Sequence, residues 1–126
     1  MSLVLDAGAL VALERGDRTV IAAVKKERSG GRFPVTHGGV VGQVWRGGRG
    51  RQARLASFLP GFDVRALDRD LGLRAGVLLG KAGSSDVIDA ALVLLAEEGD
   101  EILTSDAEDL RALALAAGLA VELTPV

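Results

Sequence analysis

Short apolar runs alternate along the chain with longer segments of helical periodicity, and aspartates stand repeatedly where one gives way to the other. Ser2 to Leu5 reads as a strand, and Ala7 to Glu14 as a helix whose first turn Asp6 can cap through its side-chain oxygen. Asp17 can cap a second helix running to about Arg28; Ser29, Gly30 and Gly31 end it, and Arg32 to Thr36 reads as a second strand. Gly38 and Gly39 allow a tight turn into a helix around Val40 to Arg46. Gly47, Gly48 and Gly50 interrupt that helix before another runs from near Arg51 to Leu59, stopped by Pro60 and Gly61. A third strand is predicted over Phe62 to Ala66, followed by a helix over Asp68 to Lys81. Leu67, Leu71, Ala75, Leu78 and Ala82, at offsets of four and three, form its buried stripe. Asp86 to Glu98 is too uniformly apolar for a surface helix, which predicts a helix packed against a sheet. Glu101 to Thr104 and Ala120 to Leu123 read as the last strands, with a helix from Asp106 to Ala117 between them.

Strands alternating with helices, without hairpin signals, predict an α/β fold: a three-layer α/β/α sandwich with a mostly parallel, about five-stranded sheet. The 126 residues suit one domain, 1–126, able to bury roughly two thirds of its unfolded surface. Hydrophobic residues make up 48% and aromatic residues 3%, so the core must be Leu, Val, Ile and Ala. No apolar stretch approaches the ~18 residues of a membrane span, and no basic region precedes the first strand. A cytoplasmic protein without a membrane association is the expectation.

Cysteine is absent, which excludes a disulfide framework, a thiolate zinc site and a cysteine nucleophile, and a single histidine excludes a His-rich metal site. Any metal must be held by oxygen, which favours Mg²⁺ or Mn²⁺. The net charge of −2 conceals a polarity. Lys25 to Arg54 carries eight Lys and Arg against Glu27, whereas Ser84 to Val126 carries ten acids against Arg111 alone. One part can attract an anion while the other holds cations; two oppositely charged solvated faces would look the same. In an open parallel sheet, ligands bind at the carboxyl ends of the strands. Asp6, Asp86 and Asp106 each stand where a helix cap is expected, and Ser105 with Glu108 matches a capping box. Capping accounts for each acid singly but not for the pairs Asp86 with Asp89 and Asp106 with Asp109, whose spacing puts both members on one side of a helix. Carboxylates crowded in one pocket repel one another unless a cation sits between them.

These residues resemble a family. An N-terminal strand ending in Asp6, the segment Ser85-Asp86-Val87-Ile88-Asp89-Ala90-Ala91 opening an apolar helix, and Thr104-Ser105-Asp106 after a late strand are similar to the PIN-domain ribonucleases, specifically the VapC-type toxins. The resemblance spans the chain. It implies a PIN-like fold in which Asp6, Asp89 and Asp106 bind metal, with Asp86 an added ligand and Asp109 in an outer role. It also implies Mg²⁺- or Mn²⁺-dependent endonucleolytic cleavage of structured RNA, such as tRNA or rRNA, leaving a 5′-phosphate and a 3′-hydroxyl. A homodimer neutralised by a cognate VapB-type antitoxin follows from the same likeness. The sequence departs from the family at Gln43, where a Glu is usual on the helix after the second strand. A carboxamide oxygen can ligate a cation but brings no charge, and Asp86 would restore part of it. Glu14 lies eight residues past Asp6, about 12 Å along a helix, too far for a direct ligand.

Arg46, Arg49, Arg51 and Arg54, interleaved with glycines, suit contacts to RNA phosphates. A solubilised turn, or contact with a partner or with the acids, would account for them equally. Ser85 and Ser105 suit helix capping better than contact with substrate or metal-bound water. His37 is expected to be an exposed loop residue, and Trp45 a packing residue of the core or a dimer interface rather than a base-stacking one. Thr36 suits either a phosphate contact or a cap of the next helix. Two other function classes compete. One is a PIN-like RNA-binding or regulatory module whose cleavage Gln43 has weakened or abolished. The other, a phosphotransfer domain, is disfavoured because the second Asp of the dehalogenase-like pattern is replaced by Gly8.

Overall fold

In the computed structural model, which describes residues 1–126, Leu3, Val4 and Leu5 are buried on both faces, as the middle strand of a sheet covered by helices requires. This strand, β1 (Leu3–Leu5), is followed by α1 (Ala7–Glu14), α2 (Arg18–Ser29), β2 (Val35–His37) and α3 (Gly38–Val44). A 3-10 turn over Gly50–Gln52 leads into α4 (Ala53–Phe58), and a second over Leu59–Gly61 leads into β3 (Asp63–Arg65). The chain continues through α5 (Arg69–Ala82), α6 (Val87–Leu95), β4 (Glu101–Thr104), α7 (Ala107–Ala116) and β5 (Glu122–Pro125). The five strands lie in the order β3-β2-β1-β4-β5, and every neighbouring pair is parallel. The expected α/β/α sandwich is thus the one observed.

The chain leaves β1 toward β2 and β3 on one side, then crosses back to place β4 on the other. The crevice above the carboxyl ends of β1 and β4 is therefore the topological switch point, where such sheets bind ligands. One cluster of 26 buried apolar residues holds the layers together. α6 contributes Ala90 to Val93 as an unbroken buried run, so its uniform apolarity reflects its place beneath its neighbours. α5 buries the predicted positions Leu71, Ala75 and Leu78, with Leu67 and Ala82 partly buried at the edge of the core. The edge strand β3 is exposed and carries the Arg65–Asp63 ion pair at 3.1 Å; such charge blunts pairing of an open sheet edge.

Several boundaries differ from the sequence reading, among them β2, which begins at Val35 rather than Arg32, and α6, which ends at Leu95 rather than Glu98. α3 begins at Gly38 rather than Val40, because the His37 side chain caps it. β5 starts at Glu122 rather than Ala120, since the Ala120 amide is spent on Glu98 Oε1 at 2.9 Å. The helix expected from Arg51 opens as a 3-10 turn, and α4 proper starts at Ala53.

Candidate metal and nucleic-acid site

Asp6 follows the last residue of β1 and is 4% exposed. Its Oδ1 accepts the Ala9 amide at 2.8 Å, the helix cap expected of it. Its Oδ2 accepts the Thr104 hydroxyl at 2.6 Å and the Ser105 amide at 3.1 Å. Thr104, fully buried at the end of β4, uses the same oxygen to accept the Asp106 amide at 2.8 Å. One hydroxyl thus ties the carboxyl end of β1 to the start of α7. Gly8 completes this join: a Cβ there would collide with the Ser105 side chain, so α1 and the Ser105 turn pack closely only because residue 8 has none.

Asp86 caps α6 by accepting the Asp89 amide at 3.1 Å. Asp89, in the first turn of that helix, is half-buried and makes no side-chain hydrogen bond. Its carboxyl is pushed up to about 7, first by burial and then by the charges of Asp86, Asp6, Asp106 and Asp109. Asp106 is exposed and also raised, chiefly because the Asp109 carboxyl stands close enough to share a proton with it. Asp6, Asp86, Asp106 and Asp109 therefore all lie within electrostatic reach of Asp89, with Asp6 and Asp106 at the carboxyl ends of β1 and β4. Their charge suits a cation, but no three acidic side chains stand at ligating distance of a common point as arranged. Closing such a shell requires side-chain rotation, which the unengaged Asp89 can make and the triply bonded Asp6 cannot.

Other residues fall differently from their expectations. His37 is wholly buried, not an exposed loop residue: its Nε2 donates to the Ile88 carbonyl at 2.9 Å and its Nδ1 accepts the Gly39 amide at 3.1 Å. These two bonds fix one neutral tautomer, and burial holds the imidazole below its ordinary range. Thr36 neither caps a helix nor faces solvent; buried, it donates to the Leu5 carbonyl at 2.9 Å and locks β2 to β1. The Ser105–Glu108 capping box does not form, because Thr104 takes the Asp106 amide and Ser105 gives its own amide to Asp6. Likewise Asp86, not Ser85, caps α6.

Gln43 is exposed on α3 and lines a cavity of about 610 Å³ together with Arg46, Arg49 and Arg51. Arg54 does not line it; its Nη1 donates to the Glu14 carbonyl at 2.9 Å and so finishes α1. Two residues of this region escaped the sequence reading. Arg15, at the C-terminus of α1, enters the cavity, and Gln52, 6% exposed, forms its floor. Gln52 had one legible signal: with Leu55 and Leu59 it continues an inward stripe at offsets of three and four. Trp45 packs against the core, as expected, beneath Gly48.

No protein-family model and no curated protein matches the sequence. Among solved structures, the chain is similar to one in the crystal structure of VapBC2 from Rickettsia felis bound to a DNA fragment from their promoter. The TM-score is 0.70 at 12% identity, with 98% of each chain covered. The fold is PIN-like. At this identity the likeness concerns the path of the chain alone. No helix of the PIN-like chain is long and apolar enough to cross a membrane.

Proposed function

We propose that this protein is a divalent-metal-dependent endoribonuclease of the VapC toxin type, held in check by a VapB-type antitoxin. The observation that carries the reading is the crowding of Asp6, Asp86, Asp89, Asp106 and Asp109 around one half-buried carboxyl pushed up to about 7. Capping explains Asp6 and Asp86 but gives Asp89, Asp106 and Asp109 no reason to converge. The named toxin–antitoxin assembly of the structural neighbour supports the same reading.

Asp89 and Asp106, together with Asp6, would hold a Mg²⁺ or Mn²⁺ ion. When bound, such an ion supplies Lewis acidity toward a phosphoryl oxygen and eases deprotonation of water. Asp6 is held in one orientation by Ala9, Thr104 and Ser105, so the site is anchored on a rigid carboxylate. Asp89, pushed up to about 7 without metal, would give up its proton on joining the ligand set. The arginines beside Gln43 would hold the substrate backbone, and exposed Leu73 and Val77 on α5 offer apolar surface to a second copy or to the antitoxin.

A second reading, an RNA-binding module with weakened cleavage, is favoured by the uncharged Gln43. Incubation of the isolated protein with total tRNA and rRNA, in Mn²⁺ or Mg²⁺ and then in EDTA, separates the two. Discrete fragments that vanish in EDTA and with Asp106→Asn support the nuclease. Intact RNA from folded protein, with cleavage appearing only in Gln43→Glu, supports the binding module.

A further inference from the structure

We propose that the cavity between the end of α1, α3 and the Gly47–Gln52 turn, none of whose lining residues is one of the five aspartates, is a binding site for the phosphates of a nucleic-acid backbone. The choice of nucleic acid as ligand rests on the nuclease reading above; the anion site itself rests on geometry. Arg15, Arg46, Arg49 and Arg51 all line the cavity, and none is in an ion pair. The one acid there, Glu14, has its Oε1 occupied by Gln52 Nε2 at 2.7 Å. An excess of unpaired guanidinium groups facing one cavity attracts an anion and suits the bidentate geometry of phosphate.

The turn is built rather than loose. The Gln52 Oε1 accepts the amides of Arg46 at 2.8 Å and Gly48 at 3.1 Å, while its Nε2 also donates to the Val44 carbonyl at 2.9 Å. Gly47, Gly48 and Gly50 have φ of 105°, 73° and 60°, a region other residues adopt only with strain. Turns can present successive backbone amides to an anion. The amides of Gly47 and Arg49 donate to no protein acceptor. Arg46 is pinned as well, its Nη1 donating to the carbonyls of Trp45 at 2.6 Å and Gly42 at 3.2 Å. Only Val11 and Val44 line the cavity with apolar surface, too little to seat an apolar peptide face.

α1 joins the two sites. Its first turn is anchored at Asp6 and its end supplies Arg15, nine positions on, roughly 13 Å at the helical rise. A single strand gripped by the arginines can thus lay a phosphodiester at the acids a few nucleotides away.

The test is fluorescence anisotropy of a labelled single-stranded RNA with wild-type protein in EDTA, where the proposed cleavage is silent, over a range of salt. The double variant Arg49→Gln/Arg51→Gln removes two exposed cations that bond no protein group, so its melting temperature should match wild type. It should bind about 10-fold more weakly, with a log K against log salt slope shallower by about 1.4. Lys81→Gln, on α5, should leave both unchanged. An unaltered slope in the double variant overturns the proposal. So does tighter arginine-dependent binding of a polyglutamate peptide than of RNA, which would assign the cavity to an acidic peptide. RNA binding with the predicted slope from protein that cleaves nothing would uphold the site while refuting the nuclease reading. Cleavage with an unaltered slope would do the reverse.

Discussion

Asp89→Asn should make the metal-free protein more stable at pH 8. In the folded state the Asp89 carboxyl keeps its proton up to about pH 7, whereas in the unfolded chain it loses it near pH 3.9. Between those values the folded state binds more protons than the unfolded one, so stability falls as pH rises through that window. Moving a carboxyl from 3.8 to about 7 corresponds to about 4 kcal/mol at ~1.36 kcal/mol per pH unit. Solvent reaches part of the half-buried side chain, and screening cuts the figure to ~2 kcal/mol. Asparagine keeps the shape and carries no charge at any pH. In EDTA, urea denaturation should therefore show the variant equal to wild type below pH 4 and ~2 kcal/mol more stable at pH 8. That difference is worth roughly 6–10 °C in melting temperature for a domain of this size. Mg²⁺ at pH 8 should stabilise wild type and have little effect on the variant. A variant less stable than wild type at pH 8, or a difference that does not change with pH, would refute like-charge crowding as the dominant electrostatic feature of the site.

Three further outcomes follow from single contacts. Thr104→Val removes the hydroxyl that donates to Asp6 and accepts from the Asp106 amide; denaturation should show a loss of about 1–3 kcal/mol, with a larger proportional loss of RNA cleavage. Gln52→Ala strands the amides of Arg46 and Gly48 and the Val44 carbonyl; it should cost about 2–4 kcal/mol and speed amide exchange at Gly48, and protection equal to wild type would contradict the role given to Gln52. Burial holds His37 below its ordinary range, so the stability it allows is complete above about pH 6.5 and is lost as pH falls through its folded value, where the unfolded chain gains the proton first. Thermal unfolding between pH 4 and 7 should show a flatter acid limb for His37→Gln than for wild type.

Where local and tertiary demands agree, the fold was legible. β1, α1 and β4 match their expected strand and helix segments closely because Asp6 is both the cap of α1 and the end of a buried run, and Glu101–Thr104 is bounded by Asp100 and Ser105. Legibility failed where a side chain did something its type does not announce. His37 is polar and next to two glycines, yet a carbonyl on α6 satisfies it and lets it be buried. Thr36 and Thr104 look alike at two strand ends, but one locks β2 to β1 and the other bridges Asp6 to Asp106. Asp6 and Asp106 were readable as neighbours because parallel topology brings the ends of β1 and β4 to one edge, whereas α6 follows α5 and its acids were legible only from their spacing. The arginine cavity was half readable: the glycines and arginines of the turn were evident, but Arg15 reaches it from another helix and Arg54 turns away to the Glu14 carbonyl.

The central claim is that the aspartate cluster at the switch point takes up a divalent cation, and proton-coupled calorimetry tests it most directly. Mn²⁺ is titrated into the protein at pH 6 in two buffers of different ionisation enthalpy. Binding should release close to one proton per ion, because Asp89 is largely protonated at that pH and must lose its proton to face a cation. The release should vanish in Asp89→Asn. Absence of millimolar or tighter binding, or binding with no proton released and unaffected by Asp89→Asn, would contradict the account.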